Sequence, residues 1–163
     1  MFEYIVEIIL SFIATACFGV IFNAPTKVIP YCGFIGAIGW AIYAGCTNFQ
    51  DLSAIQSSFI SAFCVTFIAQ VFARVKKLPV IVFSVSGIIP LVPGGAAYNT
   101  MRNIVEQDYV TGMQNGMFVF MISGAIAMGL VFAEVIMQIF LRMLRVGKTS
   151  IESFVYQKNR RKR

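Results

Sequence analysis

The most constraining feature of this sequence is a series of long apolar segments with few or no charged residues. Residues 2–22, 28–46, 52–73 and 117–141 are each close to the ~20 residues that a helix needs to cross a hydrocarbon core, and residues 79–92 form a shorter segment. Only 12% of the residues are charged, against roughly 25% in soluble domains. A soluble protein of this length cannot bury so much apolar surface. The sequence therefore predicts an all-α, polytopic membrane bundle of about five spans.

The first apolar segment is interpreted as a retained membrane helix. A cleaved signal peptide carries basic residues ahead of its apolar core, whereas the first charges here are Glu3 and Glu7 and the first basic residue is Lys27. We therefore expect a transmembrane domain over residues 1–146, followed by a basic cytoplasmic tail over residues 147–163.

The basic residues give the bundle an expected orientation. If all five segments cross the membrane, every Lys and Arg except Arg102 falls on the side of the C-terminal tail. Because basic residues in short loops remain cytoplasmic, we expect an outside N-terminus and a cytoplasmic C-terminus in the plasma membrane. The basic run at residues 158–163 is expected to contact acidic headgroups of the lipid bilayer, and no other feature indicates nucleic-acid binding.

Cysteine and histidine usage argues against several chemistries. The cysteines are irregularly spaced and form no Cys-x-x-Cys motif, so they are interpreted as small apolar residues of the helices. Histidine, the commonest metal ligand and the usual near-neutral proton relay, is absent. No catalytic triad or metal-ligand cluster is recognisable, so we predict no metal, no cofactor and no enzymatic activity.

The fourth segment is expected to break inside the membrane. From residue 79 to residue 92 an ideal helix rises only about 20 Å, which is well short of the ~30 Å core. Pro90 lacks a backbone donor and clashes with the preceding turn, and Pro93, Gly94 and Gly95 then force an irregular link. A second, more polar helix is predicted over residues 96–110.

Such a break is where a ligand site is expected. Irregular backbone is tolerated at membrane depth only against protein or a water-filled cavity, and transporters build substrate sites from broken helices. The free amides and positive dipole end of the second helix suit an anionic group. Ser86, Tyr98, Asn99 and Thr100 are candidate hydrogen-bonding residues beside the break. The alternative is a simple turn between a span and an interfacial helix.

Two further positions are candidates for the transport pathway. Asn23 and Pro25 form an Asn-x-Pro turn signal, so Asn23 either caps a helix or lines a pathway. Glu134 is the one acid of the fifth segment and is expected nearer its inner end. A carboxylate is costly inside a bilayer. Glu134 therefore either couples transport to protons, or its side chain reaches the membrane interface or pairs with another group.

Three motifs make the chain resemble the threonine/serine exporter family. They are Phe22-Asn23-x-Pro25, the glycines Gly33, Gly36 and Gly39 of the second segment, and Ile89-Pro90-x-x-Pro93-Gly94-x-x-x-Tyr98. The similarity is to the smaller C-terminal half of the family, which also occurs as a separate short protein. It runs from about residue 17 to residue 124 and leaves Glu134 outside the family pattern.

The resemblance implies a subunit of a secondary transporter that acts with a larger membrane subunit of the same family. The implied substrate is a small carboxylate-bearing metabolite, either a threonine/serine-type amino acid or a dicarboxylate such as succinate, and export is implied to be proton-coupled. Site positions carried over from the family are Pro90, Pro93, Gly94, Gly95 and Tyr98, and more weakly Asn23 and Pro25.

A second function remains open from the residues alone. Small residues at four-residue spacing allow close helix contacts, so the chain is alternatively a non-transporting membrane assembly or scaffold protein. The expected break favours transport, since a scaffold has no need of irregular backbone inside the membrane.

Overall fold

The computed structural model describes residues 2–49 and 52–160, with side chains described over residues 3–48 and 52–143. All regular structure in these ranges is helical, which confirms the predicted all-α fold. The elements are α1 (Phe2–Ile21), α2 (Ile29–Phe49), α3 (Ala54–Lys76), α4 (Val80–Ile88), a 3₁₀ turn (Ile89–Leu91), α5 (Gly94–Val105) and α6 (Tyr109–Arg160). The last three residues of the basic tail, 161–163, lie outside the described residues.

Four helices are long and apolar enough to cross a membrane, and α4 with α5 adds a fifth crossing if the pair is one broken span. The four are α1, α2, α3 and the first part of α6, Tyr109–Met143. The helix axis bends by 54° between Val80–Leu91 and Gly94–Val105. The structure therefore confirms a bundle of about five spans in which the fourth is short and broken.

The long helices pack side by side in the order α1, α2, α3 and α6, and the short α4 packs against α1, α2 and α3. The helix α5 packs against α6. Neighbours α1 and α2 are antiparallel, since Tyr4 near the start of α1 donates to the Ala41 carbonyl late in α2 (2.7 Å). The bundle core holds small and branched side chains of α2 and α3 around the fully buried Phe83 of α4.

The basic end of the bundle, defined by Lys27, Arg74, Lys76 and Lys77, is where α3 ends and α4 begins. There the Lys76 ammonium donates to the Tyr31 hydroxyl (3.0 Å) and lies 4.1 Å from the centre of its ring. This contact fixes the end of α3 against the start of α2.

The break lies inside the bundle. The carbonyl oxygen of Gly87, near the end of α4, is 3.6 Å from an ideal Cβ placed on Gly39 at the middle of α2. Since Gly39 is ten residues from the start of α2, α4 ends about 15 Å from the basic end of that helix. The chain therefore leaves regular α-helix about halfway across the bundle.

The helix α6 begins earlier than the sequence suggests. The sequence predicts a polar helix over residues 96–110 and a fifth span over residues 117–141, whereas in the structure α5 ends at Val105 and α6 begins at Tyr109. In the structure Asp108 caps α6, and its carboxylate accepts a hydrogen bond from the Thr111 amide (3.2 Å). Hydrogen bonds from the Thr111 side chain and backbone lower the pKa of Asp108 below its usual value.

Close backbone contact joins α6 to α3 at Gly129. An ideal Cβ on Gly129 would lie 2.7 Å from the Phe59 carbonyl oxygen and 3.1 Å from the Phe63 amide nitrogen. Such distances leave no room for a methyl group, because neither backbone atom can move without displacing α3. The close approach of α3 and α6 at Gly129 therefore requires a residue without a side chain.

We expect Gly129→Ala to destabilise the α3–α6 contact. Forcing an extra methyl group into a closely packed site costs about 1–3 kcal/mol of unfolding free energy. Gly124→Ala is a matched control on the same helix, since an ideal Cβ there meets nothing within 4 Å. Unfolding of the two purified variants in mixed micelles measures the difference, and equal stabilities would contradict the close contact.

Candidate functional site

The break presents free backbone amides at the start of α5. The Gly94 amide donates to the Val92 carbonyl (2.7 Å) and the Ala97 amide to the Pro93 carbonyl (3.0 Å). In the described part of the chain, the amides of Gly95 and Ala96 have no backbone acceptor. Because the first amides of a helix have no partner within it, these two donors are open to an external acceptor.

The glycines leave that helix end uncovered. Gly94 and Gly95 are exposed, and an ideal Cβ at either position meets nothing within 4 Å. No side chain caps the helix start, and Pro93 at the cap position has φ −76° and ψ 57°. The break is therefore exposed backbone at the start of α5.

The predicted hydrogen-bonding side chains do not converge on the break. The Ser86 hydroxyl is buried and donates to the Val82 carbonyl of its own helix (2.7 Å). The Thr100 hydroxyl donates to the Ala96 carbonyl (2.9 Å). Tyr98 and Asn99 are exposed, with Tyr98 at 68%. Pro90 is half-buried in the 3₁₀ turn, which α1, α2 and α3 contact.

Asn23 and Pro25 lie at the basic end, away from the break. Asn23 is exposed and adopts a left-handed φ of 54°, where its amide donates to the Val20 carbonyl (2.9 Å). The Pro25 carbonyl accepts from the Val28 amide (2.7 Å) at the entry to α2. The two residues thus form the turn from α1 to α2, and the structure does not bring them to α5.

A polar cavity that the sequence analysis did not identify lies between α3, α4 and α6. Its volume is about 520 Å³. Its polar lining residues are Thr66, Gln70, Arg74, Ser84, Glu134 and Gln138. We call it the polar cavity. It forms because α4 and α6 both pack on α3 and leave a gap between them.

The two charged residues of the polar cavity, Arg74 and Glu134, are both exposed, and each is hydrogen-bonded to a glutamine on its own helix. The Arg74 guanidinium donates to the Gln70 side-chain oxygen (3.5 Å), and Glu134 accepts from the Gln138 amide (3.4 Å). No ion pair within 4.0 Å joins Arg74 to Glu134 among the described side chains. One positive and one negative group therefore line the same space without neutralising each other directly.

Gln70 is the most deeply placed amide of the polar cavity. Its side chain is 4% exposed, and its Nε2 has no hydrogen-bond partner among the described residues. A buried donor without a partner costs about 1–3 kcal/mol, so such groups in native proteins are expected to have a role.

Glu134 lies in the C-terminal part of its span, nine residues before the end of Tyr109–Met143. Gly129 contacts residues 59–63 of α3, and Glu134 follows it by five residues, or about 7.5 Å along the helix. The exposed Glu134 side chain lines the polar cavity there, together with Thr66 and Gln70 of α3.

Polar residues that line the cavity recur at four-residue spacing in the sequence. Thr66, Gln70 and Arg74 recur every four residues in α3, and Glu134 and Gln138 do the same in α6. Each set therefore lies on one face of its helix. The sequence alone did not connect these two faces, because only the fold shows that they meet.

A second cavity between α3 and α6 is almost wholly apolar. Its volume is about 730 Å³, and its lining includes Phe59, Met128 and Phe132. None of its described lining residues is charged, and Gln56 is the one polar side chain among them. The polar cavity is thus the better candidate for a site.

A family model described as Threonine/Serine exporter, ThrE, matches residues 7–136. The match runs from within α1 to residue 136 of α6, so it extends beyond the expected limit near residue 124 and includes the position of Glu134. No solved structure matches the chain.

Proposed function

Because the chain belongs to the threonine/serine exporter family, we propose that it is a subunit of a proton-coupled secondary transporter that exports threonine, serine or a related amino acid with a larger membrane subunit of the same family. The chain is a multi-pass membrane protein of an exporter family. The family match over most of the chain is the observation that carries this proposal. Export of a dicarboxylate such as succinate is the alternative substrate class, and an enzymatic role is not proposed.

The broken α4–α5 element supports a role in transport. It ends a regular helix halfway across the bundle and presents the amides of Gly95 and Ala96 without acceptors. Open donors at membrane depth suit a carboxylate that passes through, because a helix start favours negative charge. We assign the pathway role to the break, centred on Pro90, Pro93, Gly94 and Gly95.

Residues beside the break and at the basic end complete the proposed pathway. Tyr98, Asn99 and Thr100 follow the open amides on α5, and Ser86 lies before them on α4. Asn23 and Pro25 belong to the proposal through the family motif alone, since the structure places them in the turn between α1 and α2.

A partner subunit is proposed because the chain alone does not enclose the break. The helix α5 has no buried residue, and Tyr98, Met101 and Val105 are all exposed. A larger subunit packed against α5 would cover these side chains and close the pathway. With an outside N-terminus, five spans in this chain and five of opposite orientation in the partner would form an inverted repeat.

Export measured in cells tests this proposal. Cells that express this chain together with the larger family subunit are expected to release labelled threonine or serine at least ~10-fold faster than cells with either subunit alone, since the pathway needs both halves. Succinate release is measured in parallel. Assembly of the two subunits without export of any of the three compounds would contradict the proposal and favour a scaffold.

A further inference from the structure

We propose that the polar cavity is the binding site for a zwitterionic α-amino acid, with Arg74 holding its carboxylate and Glu134 its ammonium group. The inference rests on the proposed function and adds where the substrate binds and how its charges are recognised. It assigns binding to α3, α4 and α6, while the break remains the proposed passage.

The opposite charges of Arg74 and Glu134 support this assignment. Arg74 and Glu134 line one space, and no ion pair joins them among the described side chains. An α-amino acid carries a carboxylate and an ammonium on one carbon, so a single small ligand satisfies both groups through charge-assisted hydrogen bonds. A dicarboxylate would instead place its second carboxylate towards Glu134 with no second cation in the lining, which disfavours it.

Polar side chains beside Arg74 support the same assignment. Gln70 lines the polar cavity, and its side-chain oxygen accepts a hydrogen bond from the Arg74 guanidinium (3.5 Å), which helps to hold Arg74 beside the cavity. Ser84 and Gln138 also line the cavity, and they offer hydrogen bonds to a ligand hydroxyl of the kind that threonine and serine carry.

The position and volume of the polar cavity also suit a small exported substrate. Arg74 is in the last turn of α3, and Val80, the first residue of α4, also lines the polar cavity. The cavity therefore reaches the basic end, which is the expected cytoplasmic side from which an exported substrate must enter. Its volume of about 520 Å³ accommodates a small amino acid and lies within the usual range for ligand sites, about 300–1,000 Å³.

Binding of substrate analogues to the purified complex of both subunits tests the assignment. Threonine, threoninamide (no carboxylate) and 2,3-dihydroxybutanoate (no ammonium) compete against labelled threonine. Wild type is expected to prefer threonine over each analogue by roughly 10–100-fold, as expected for one charged hydrogen-bonding contact. Arg74→Gln should abolish the preference over threoninamide, and Glu134→Gln the preference over 2,3-dihydroxybutanoate.

Matched controls separate recognition from loss of folding. Arg142 and Glu3 are exposed, as Arg74 and Glu134 are, but they lie outside the cavity lining, so Arg142→Gln and Glu3→Gln should keep both preferences. Arg74→Lys retains the positive charge and should restore part of the preference that Arg74→Gln loses. Threonine binding with analogue preferences unchanged in Arg74→Gln and Glu134→Gln would overturn this site while leaving the proposed function intact. Absence of threonine binding in the wild-type complex would overturn both.

Discussion

Replacing Gly94 with leucine is expected to lower export by at least ~10-fold while the subunits still assemble. The physical reason is that a bulky side chain hinders the approach of the substrate to the open amides of α5. An ideal Cβ on Gly94 meets nothing within 4 Å and the residue has no positive φ, so a side chain can start there without a Cβ clash or backbone strain. We expect the added bulk beside the Gly95 and Ala96 amides to hinder the approach of a substrate to them. Export of labelled threonine and co-purification of the partner are measured on the same cells.

Gly124→Leu is the matched control for this experiment. Gly124 is also exposed, and an ideal Cβ there also meets nothing within 4 Å, but the residue lies on α6 beside the apolar cavity. This variant is expected to export normally. Normal export by Gly94→Leu would remove the break from the pathway, and loss of assembly in that variant alone would assign the glycine to subunit contact.

The second large effect is expected at Glu134. Glutamine has nearly the same shape as glutamate but carries no titratable proton, so Glu134→Gln should make export insensitive to a proton gradient. The physical basis is that a carboxylate inside a bilayer is costly, up to about 2.5–3.5 kcal/mol at its centre, unless its charge is compensated. A proton and a substrate ammonium group each compensate this charge, so they compete for one site and their fluxes become linked.

The measurement is threonine efflux with and without an imposed pH gradient, at threonine concentrations high enough to offset weaker binding. Wild type should respond to the gradient, whereas Glu134→Gln should show equal rates under both conditions. Glu3→Gln, which removes an exposed carboxylate at the other end of the chain, should behave as wild type. Unchanged export and an unchanged gradient response in Glu134→Gln would exclude this residue as the coupling group.

The spans and the break were predictable because each depends on local sequence. Apolar length alone identified α1, α2 and α3, since a helix must satisfy its own backbone in lipid. Pro90 and Pro93 predicted the broken fourth span, because proline lacks the donor that a continuing helix needs. The start of α6 was not predicted, because the fifth span was placed by apolar length, whereas the helix begins after a cap formed by Asp108.

The polar cavity was not predictable in the same way. Arg74 follows an apolar span and is expected as an orientation anchor, and Glu134 stands alone in α6. The two residues line one cavity only because α3 and α6 pack side by side and α4 leaves a gap between them. This arrangement is a property of the tertiary structure. Whether Ser86, Tyr98, Asn99 and Thr100 contact a substrate stays a prediction, because two hydroxyls are used within their helices and the other two side chains are exposed.

The most direct test of the central claim is transport by the two purified subunits in sealed proteoliposomes. With an imposed proton gradient, vesicles that contain both subunits are expected to move labelled threonine or serine against its concentration gradient, and vesicles with one subunit should not. Succinate should move far more slowly. Proteoliposomes that contain the assembled pair yet move neither amino acid, whatever the gradient, would contradict an exporter of this class.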